Sequence, residues 1–361
     1  MTSTQNKLLN ALSDALWHNT FSSIPPGVLD EAQLQAVAGL LVGEDLYTTT
    51  RFVQYCYVED ELVELLSSHS IPSVILKGAS AAIYYPIPSA RTFGDIDFIV
   101  SPEFFSITTQ LLLDNGYQLY SDTDEKERHI GFKKDGYTFE LHRRFSYNDL
   151  DIECYVLDGI ENRVQAHIDD HEFPMLPPLA NGLVLLAHMR RHLQTGMGLR
   201  QVIDWMMYVD RVLDDEFWAA TFKPVADELG LTTLAITATA LCQKYLGLSH
   251  REWCAEADTT LAGELLEAVL SSGNFGRKHG NGNNVETVTA AMKSRGVFYY
   301  LQLAGECNWK LYHRHHFLKP FCWFYQIFRY IRQGIGRGFK LKDDIGRGSA
   351  RADLLKKLGI T

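Results

Sequence analysis

Two carboxylates lie two residues apart in the segment "ARTFGDIDFIV", which spans Ala90–Val100 and is otherwise mostly apolar. Side chains at positions i and i+2 of a strand point to the same face, about 6.6 Å apart along it. Asp95 and Asp97 would therefore face one side together, and close carboxylates in a polar cleft repel each other unless a cation lies between them. Oxygen ligands of this kind suit Mg²⁺ or Mn²⁺, so the pair predicts a divalent metal site.

A third carboxylate follows in the segment "HIGFKKDGYTFELHRRF". Two β-like runs, His129–Lys133 and Tyr137–His142, are joined by an Asp-Gly dipeptide, which is a strong hairpin signal. Glu140 lies on the second run and shares a face with Thr138 and His142, while apolar residues alternate inward. An Asp-x-Asp strand with a third acid from a neighbouring strand is the arrangement that two-metal phosphoryl or nucleotidyl transfer requires.

A turn upstream of these acids has the residues to bind phosphate. A short strand is predicted over Ser73–Leu76, followed by Lys77, Gly78 and the start of a helix rich in small residues. Glycine lets a phosphate approach the backbone, the start of the helix offers free N–H groups, and Lys77 or Ser80 could add a donor. Arg91, shortly before the Asp pair, is a candidate clamp for a triphosphate because guanidinium matches phosphate oxygens.

In order along the chain, these elements read "LKG … R … GDIDhhV … ELH" over Ser73–Phe145. This pattern resembles the nucleotidyltransferase superfamily of the DNA polymerase β type, in particular a little-characterised bacterial branch of it. The resemblance implies a small mixed sheet that binds a metal–NTP complex. It assigns Asp95, Asp97 and Glu140 as the metal ligands.

The turn departs from the superfamily pattern. The superfamily usually has Gly-Gly or Gly-Ser there, whereas Gly78 is followed by Ala79, and Ser80 is displaced by one position. A phosphate contact through the backbone alone would accommodate this difference, as would Lys77 in place of the serine hydroxyl.

The segment "LLAHMRRHLQTGMGLRQVIDWMMYV" matches the same branch more loosely. His188 and His192 are at i and i+4 and share a helix face, as do Arg200 and Asp204 after a break with two glycines. Together with His142 they are candidate contacts to the base, ribose or acceptor. For the four residues of this segment, the favoured interpretation is a helical salt bridge and partly buried histidines that only hold two domains together. No zinc site is predicted, because no further ligand lies at metal spacing.

The sequence predicts an α/β (α+β) fold in three parts. Helical spacing dominates residues 1–70, a nucleotidyltransferase core follows over residues 71–176, and a helical domain with a basic aromatic tail covers residues 177–361. The stretch "SSGNFGRKHGNGNN" is expected to be a surface loop.

The C-terminal tail combines aromatic and basic residues. Between residues 308 and 348 there are nine Lys or Arg and two Asp, in a chain with a net charge of −10. The favoured interpretation is an aromatic core helix with a solvated basic face, to which His313, His315 and His316 add. Peripheral contact with anionic lipid or a lipid-linked acceptor is the first alternative, and RNA binding is the second.

Composition narrows the class of protein. With 46% hydrophobic residues the chain can bury a full core, and its net charge of −10 argues against general nucleic-acid coating. The six scattered cysteines indicate neither a disulfide framework nor a zinc site. No signal peptide and no apolar segment long enough for a membrane span is evident, so a cytoplasmic location is expected, with membrane association only through the tail.

The function expected from these features is metal-dependent transfer of a nucleoside monophosphate from an NTP to a hydroxyl or phosphate acceptor, with release of pyrophosphate. One alternative is a glycosyltransferase in which the Asp-x-Asp pair holds a Mn²⁺–sugar nucleotide. Another is a non-catalytic relative that binds a nucleotide or a partner. A small molecule, a protein, a sugar or lipid intermediate and an RNA end would all fit as acceptor.

Overall fold

One mixed sheet lies in the middle of the chain. The structure, a computed structural model, describes residues 2–22, 37–41, 46–120, 129–145, 151–272, 293, 296–335 and 341–360. Within these residues seven strands form a sheet of order β3-β4-β5-β2-β1-β7-β6. The strands are β1 (Ser73–Leu76), β2 (Ile96–Val100), β3 (Gln118–Leu119), β4 (His129–Lys134), β5 (Tyr137–His142), β6 (Val164–Ile168) and β7 (His171–Met175).

The central strands are buried because their sequences are apolar and β-branched. Every residue of β1 and β2 is buried. Strand β2 pairs antiparallel with β1 and parallel with β5. This order places Asp97 between Leu76 on one side and Glu140 on the other, so Asp97 lies on the central strand of the sheet.

Helices make up most of the remaining described chain. They are α1 (Ser3–His18), α2 (Leu46–Ser68), α3 (Gly78–Ala82), α4 (Phe105–Asp114), α5 (Glu153–Glu161), α6 (Pro178–Thr195), α7 (Leu199–Arg211), α8 (Asp215–Phe217), α9 (Lys223–Glu228), α10 (Thr232–Tyr245), α11 (Thr259–Ser272), α12 (Val297–Asn308), α13 (Lys310–Arg314), α14 (Cys322–Ile335) and α15 (Leu341–Lys357). None of the described helices is long and apolar enough to cross a bilayer.

The fold class predicted from the sequence is confirmed: a mixed α/β sheet follows N-terminal helices and precedes a helical half. The predicted bounds of β1 and β5 are those observed, and β4 extends one residue further, to Lys134. Asp95 lies one residue before β2, whereas the prediction placed it in the strand. The glycine-rich stretch expected to be a loop lies almost entirely outside the described residues.

The two N-terminal helices pack on different parts of the molecule. Trp17 of α1 donates from Nε1 to the carbonyl of Leu246, just after α10, at 2.5 Å. Helix α2 instead packs on the sheet at β7. The first helix of the predicted N-terminal segment thus lies against the helical half. The domain boundaries at residues 70 and 176 stay a prediction.

A buried histidine joins α2 to the sheet. His171 of β7 contacts Glu59 at 2.9 Å through Nε2 and Asp60 at 2.7 Å through Nδ1. Burial lowers the pKa of His171, but the two carboxylates outweigh burial and raise it. Burial raises the pKa of Glu59. Both groups therefore bind protons more tightly in the folded chain than in the unfolded chain.

This contact predicts pH-dependent stability. Because the pKa of His171 is raised in the folded state, its contribution is complete below about pH 6.5 and is lost as the pH rises through the folded pKa, and Glu59 acts in the same direction. His171→Gln should lower the free energy of unfolding by about 2 to 3 kcal/mol at pH 6 and by less at pH 9. Urea unfolding across this range measures the difference, with the exposed His167→Gln as control. An equal loss at both pH values would contradict it.

Candidate active site

Asp97 is the buried centre of the polar cluster on the sheet. Its Oδ1 accepts from Lys77 Nζ at 2.7 Å and lies 2.8 Å from Nε2 of His142. Burial alone would raise the pKa of Asp97, but Lys77 and His142 outweigh burial and hold it well below its usual range. Asp97 is therefore ionised at neutral pH, and the ammonium group of Lys77 neutralises its charge.

Glu140 lies next to Asp97 on the neighbouring strand and behaves differently. Burial and the charge of Asp97 raise the pKa of Glu140 to about 8. The two carboxylates are thus too close to be ionised together without a cation. A divalent ion would relieve this repulsion, so the donor set fits the oxygen-rich metal site expected from the sequence.

Asp95 completes the row of acids from a more exposed position. Its carboxylate accepts from the Thr138 hydroxyl of β5, which precedes Glu140 by two residues. Its carbonyl accepts from the Tyr55 hydroxyl of α2 at 3.3 Å. The structure therefore brings all three predicted carboxylates to one face of two adjacent strands.

The turn after β1 aims Lys77 at these acids. Lys77 has φ 54 and ψ −121, and Gly78 has φ 26, so two successive residues have positive φ. A Cβ at position 78 would lie 2.8 Å from the Tyr55 hydroxyl. Only glycine fits without displacing Tyr55, and the unusual conformation of Lys77 is held by the packed elements around it.

Ser80 does not face the cleft. It is fully buried, and its hydroxyl donates to the carbonyl of Ile75 at 2.6 Å. The sequence analysis placed Ser80 among the phosphate donors, and the structure corrects this: α3 turns the side chain back onto the strand that precedes it.

Ser80→Ala tests this correction. The substitution should lower the free energy of unfolding by about 1 kcal/mol, because one buried hydrogen bond is lost. Nucleotide affinity should stay within about twofold of the wild-type value. Chemical unfolding and calorimetric nucleotide titration measure the two quantities, and a selective loss of nucleotide affinity would restore Ser80 to the site.

Arg91 forms an ion pair inside the protein. Its Nε and Nη2 donate to the two carboxylate oxygens of Asp204, each at 2.8 Å, and both side chains are buried. Tyr85 donates to the same carboxylate at 2.8 Å. The charge of Arg91 is thus paired inside the protein, where it joins the loop before β2 to helix α7. Its expected role as a triphosphate clamp stays a prediction.

The remaining predicted residues of the helical half lie around this junction. Nε2 of His188 and Nε2 of His192 are 2.8 Å apart, so one ring donates to the other. Burial lowers the pKa of both rings, that of His192 to about 4, and the charge of Lys77 adds to the effect. Both rings are therefore neutral at pH 7. Arg200 donates to the carbonyl of Thr92 at 3.3 Å, which supports the interpretation that part of this set joins two halves of the molecule.

Three residues near the acids were not singled out from the sequence. Thr138 bonds to Asp95, and His129 lies opposite His142 across the β4–β5 hairpin. The ring of Tyr120 lies over Gly131, where a Cβ would be only 2.6 Å from it. The Asp-Gly turn fixed the hairpin register and could have identified His129, whereas the sequence around Tyr120 carries no comparable signal.

Among solved structures, the chain is similar to an antigenic nucleotidyltransferase-like protein from Paracoccidioides brasiliensis, with 15% identity over 56% of this chain and 96% of that chain and a TM-score of 0.34. No curated protein matches the chain significantly. Residues 15–247 match the family described as uncharacterised nucleotidyltransferase, which confirms the resemblance found in the sequence. The chain is thus a member of the uncharacterised nucleotidyltransferase family.

Proposed function

We propose that this protein transfers a nucleoside monophosphate from an NTP to a hydroxyl or phosphate acceptor in a metal-dependent reaction. An acceptor oxygen forms a bond to the α-phosphorus, and the bond between the α-phosphorus and the bridging oxygen breaks. Pyrophosphate leaves with the bonding electrons, and the acceptor gives up its proton. The observation that carries the proposal is the row of three carboxylates on β2 and β5 beside the Lys77–Gly78 turn.

Asp95, Asp97 and Glu140 would hold the metal. When bound, Mg²⁺ or Mn²⁺ activates the attacking oxygen and stabilises charge on the leaving pyrophosphate. Lys77 is positioned to bind a triphosphate oxygen once its contact with Asp97 is replaced. Glu140 completes the metal set or accepts the acceptor proton, and its pKa of about 8 without a metal suits a group that exchanges protons near neutral pH.

The helical half supplies the candidate contacts to the base, ribose or acceptor. The neutral rings of His188 and His192 offer both a donor and an acceptor near Lys77. His142 is bonded to Asp97, so in this arrangement it supports a metal ligand instead of contacting substrate. A small molecule, a protein, a sugar or lipid intermediate and an RNA end all carry the hydroxyl or phosphate group that such an acceptor needs.

The proposal predicts that metal binding releases a proton. Glu140 is largely protonated at pH 7 without a metal and must lose this proton to become a ligand. Mg²⁺–NTP affinity should therefore fall by close to tenfold per pH unit below pH 8. Calorimetry at pH 7 in buffers of different ionisation enthalpy should show release of about one proton, and Glu140→Gln should abolish it. An affinity independent of pH from 6 to 8 would contradict the assignment of Glu140.

Calorimetric titration of the full chain with ATP, GTP, CTP and UTP, each with and without Mg²⁺, tests the donor site without an acceptor. Binding of at least one NTP that requires Mg²⁺ supports the proposal. If none binds, sugar nucleotides with Mn²⁺ test the glycosyltransferase alternative, which releases a nucleoside diphosphate instead of pyrophosphate. Metal-dependent nucleotide binding without turnover on any acceptor would favour a non-catalytic relative.

A further inference from the structure

The β4–β5 hairpin gathers two imidazoles around Glu140. His129 and His142 are directly opposite each other in the register, and Glu140 precedes His142 by two residues. All three side chains therefore leave the hairpin on one face. One nitrogen of each ring and one carboxylate oxygen lie within 4.8 Å of one another.

The two rings lie farther from Glu140 than hydrogen-bond partners do. Nε2 of His129 is 3.5 Å from Oε1 of Glu140, and Nε2 of His142 is 3.7 Å from Oε2. Ordinary N–H···O bonds are about 2.7 to 3.2 Å long. In a tetrahedral complex with metal–ligand bonds of about 2.0 to 2.2 Å, neighbouring ligand atoms are about 3.3 to 3.6 Å apart. The two observed distances run to different oxygens of Glu140 and are close to that range. Nε2 of His142 also lies 2.8 Å from Oδ1 of Asp97, so an ion bound through this atom would replace that hydrogen bond.

We propose that His129, Glu140 and His142 form a three-ligand site for a divalent transition metal such as Zn²⁺, Co²⁺ or Mn²⁺. Two imidazole donors favour these ions over Mg²⁺, which binds oxygen ligands almost exclusively. Side-chain exposure of 24% for His129 and 20% for Glu140, against 1% for His142, leaves the site open to solvent on one side for a fourth ligand.

This site deepens the proposed function, on which it rests through the shared residue Glu140. An ion held by the two histidines would keep Glu140 ionised. Glu140 would then be a bridging metal ligand and no longer a candidate base for the acceptor proton. The inference therefore adds a second metal site with nitrogen ligands beside the site at Asp95 and Asp97, whose ligands are all oxygens.

Titration of the metal-free full chain with Co²⁺ tests the site through its visible ligand-field absorption, which does not depend on activity. One equivalent should bind and be displaced by Zn²⁺. Loss of a group that only orients a metal ligand weakens metal binding by about 10- to 100-fold. His129→Gln removes a ligand itself and should weaken Co²⁺ binding by more than this. The exposed His167→Gln on β6 is the matched control and should change nothing. His142→Gln is a second variant, to be checked by circular dichroism because His142 also bonds to Asp97.

The outcomes separate this inference from the proposed function. If Co²⁺ does not bind, or binds His129→Gln as tightly as wild type, the nitrogen-containing site is excluded even where Mg²⁺-dependent NTP binding is found. Cobalt held by cysteine thiolates would survive both histidine substitutions and would also exclude it. If Co²⁺ binding depends on His129 but no NTP binds, the site stands and the proposed function fails.

An independent observation concerns the surface of α12 and α14. Gly305 of α12 packs directly on Cys322 of α14, and the Trp309 and Tyr325 rings stack at 5.0 Å, so the two helices form a hairpin. Its outer surface exposes large apolar side chains, which we call the aromatic surface: Val297, Phe298, Tyr299, Leu303, Leu311, Phe317, Phe321, Phe324, Phe328 and Ile331.

The aromatic surface differs from the core helix expected from the sequence. Phe321, Phe324, Phe328 and Ile331 recur at helical spacing and are each more than half exposed, whereas Cys322 and Gln326 on the opposite face are buried. Only one face of α14 is therefore packed. Contiguous exposed apolar side chains on a protein surface are typical of interaction sites.

The positive charge of this segment indicates the kind of partner that the aromatic surface binds. Residues 297–335 contain five Lys or Arg and a single acidic residue, Glu306, in a chain whose net charge is −10. We infer that the aromatic surface binds an anionic lipid bilayer, with the rings at the interface and the cations at the head groups. None of the residues of this surface belongs to the carboxylate row, and the inference does not depend on the chemistry of that row.

Co-sedimentation of the full chain with phosphatidylcholine vesicles, with and without phosphatidylglycerol, tests this inference. Binding should require the anionic lipid and weaken with salt, and Phe324→Ser/Phe328→Ser should reduce it about tenfold or more. Val53→Ser/Tyr57→Ser removes two side chains of α2 that are equally exposed and should leave binding unchanged. Absence of binding, or equal binding by both double variants, would overturn the inference. So would self-association in solution that only Phe324→Ser/Phe328→Ser abolishes.

Discussion

Asp97→Asn is expected to abolish Mg²⁺-dependent NTP binding and to reduce any nucleotidyl transfer by about 10³-fold or more, which corresponds to about 4 kcal/mol. The carboxylate lies between Lys77 and Glu140 and remains ionised because Lys77 and His142 hold its pKa well below the usual range. The neutral amide keeps the shape but removes the charge that a divalent ion needs. It also leaves the Lys77 ammonium without its anionic partner.

Calorimetry with Mg²⁺–NTP and a pyrophosphate-release assay measure the two losses. Glu172→Gln on β7 is a matched control, since it removes one exposed carboxylate from the same sheet. Circular dichroism separates loss of the site from loss of the fold. If Asp97→Asn binds Mg²⁺–NTP as tightly as the wild type and Glu172→Gln do, the metal site does not depend on Asp97, and the proposed function loses its main support.

The sequence was sufficient to predict the strands that carry the acids. Strands β1 and β5 have apolar or alternating patterns, and the Asp-Gly turn set the hairpin. The adjacency of Asp97 and Glu140 was expected only from the resemblance, because β2 and β5 pair across about forty residues and no local pattern specifies a parallel neighbour.

Strands β6 and β7 were not predicted because their local signals conflict. Each has five residues, and β7 contains Pro174, which cannot donate to a ladder and argues against a strand inside a sheet. The structure accommodates it because β7 pairs with β1 only at Ile75 and Met175. The Asp169-Asp170 pair between the two strands was the available sign of a turn in the sequence, and Asp169 has a φ of 51° in the structure.

The partners of buried charged residues could not be predicted from the sequence. Arg91 is close to the Asp pair in sequence, and this proximity suggested a phosphate contact. Its actual partner, Asp204, is more than one hundred residues away. A local pattern shows the charge of an arginine but not which distant acid reaches it, so the internal ion pair could be seen only in the folded chain.

The Arg91–Asp204 pair is expected to have the largest effect on stability. Removal of one partner leaves a buried charge without compensation, so Arg91→Met or Asp204→Leu should lower the free energy of unfolding by about 3 to 5 kcal/mol. Asp227→Ala, which breaks the exposed pair with Lys223, should cost less than about 1 kcal/mol and serves as the control. Urea unfolding measures all three.

The double variant Arg91→Met/Asp204→Leu distinguishes an internal pair from a phosphate clamp. With both charges gone, the remaining cost should fall to about 1 to 3 kcal/mol, because the Tyr85 hydroxyl loses its acceptor, and adding Tyr85→Phe should recover part of it. Mg²⁺–NTP affinity should stay near the wild-type value in a variant that folds. A folded double variant that has lost NTP affinity, while Asp227→Ala retains it, would show that Arg91 leaves Asp204 to bind the triphosphate.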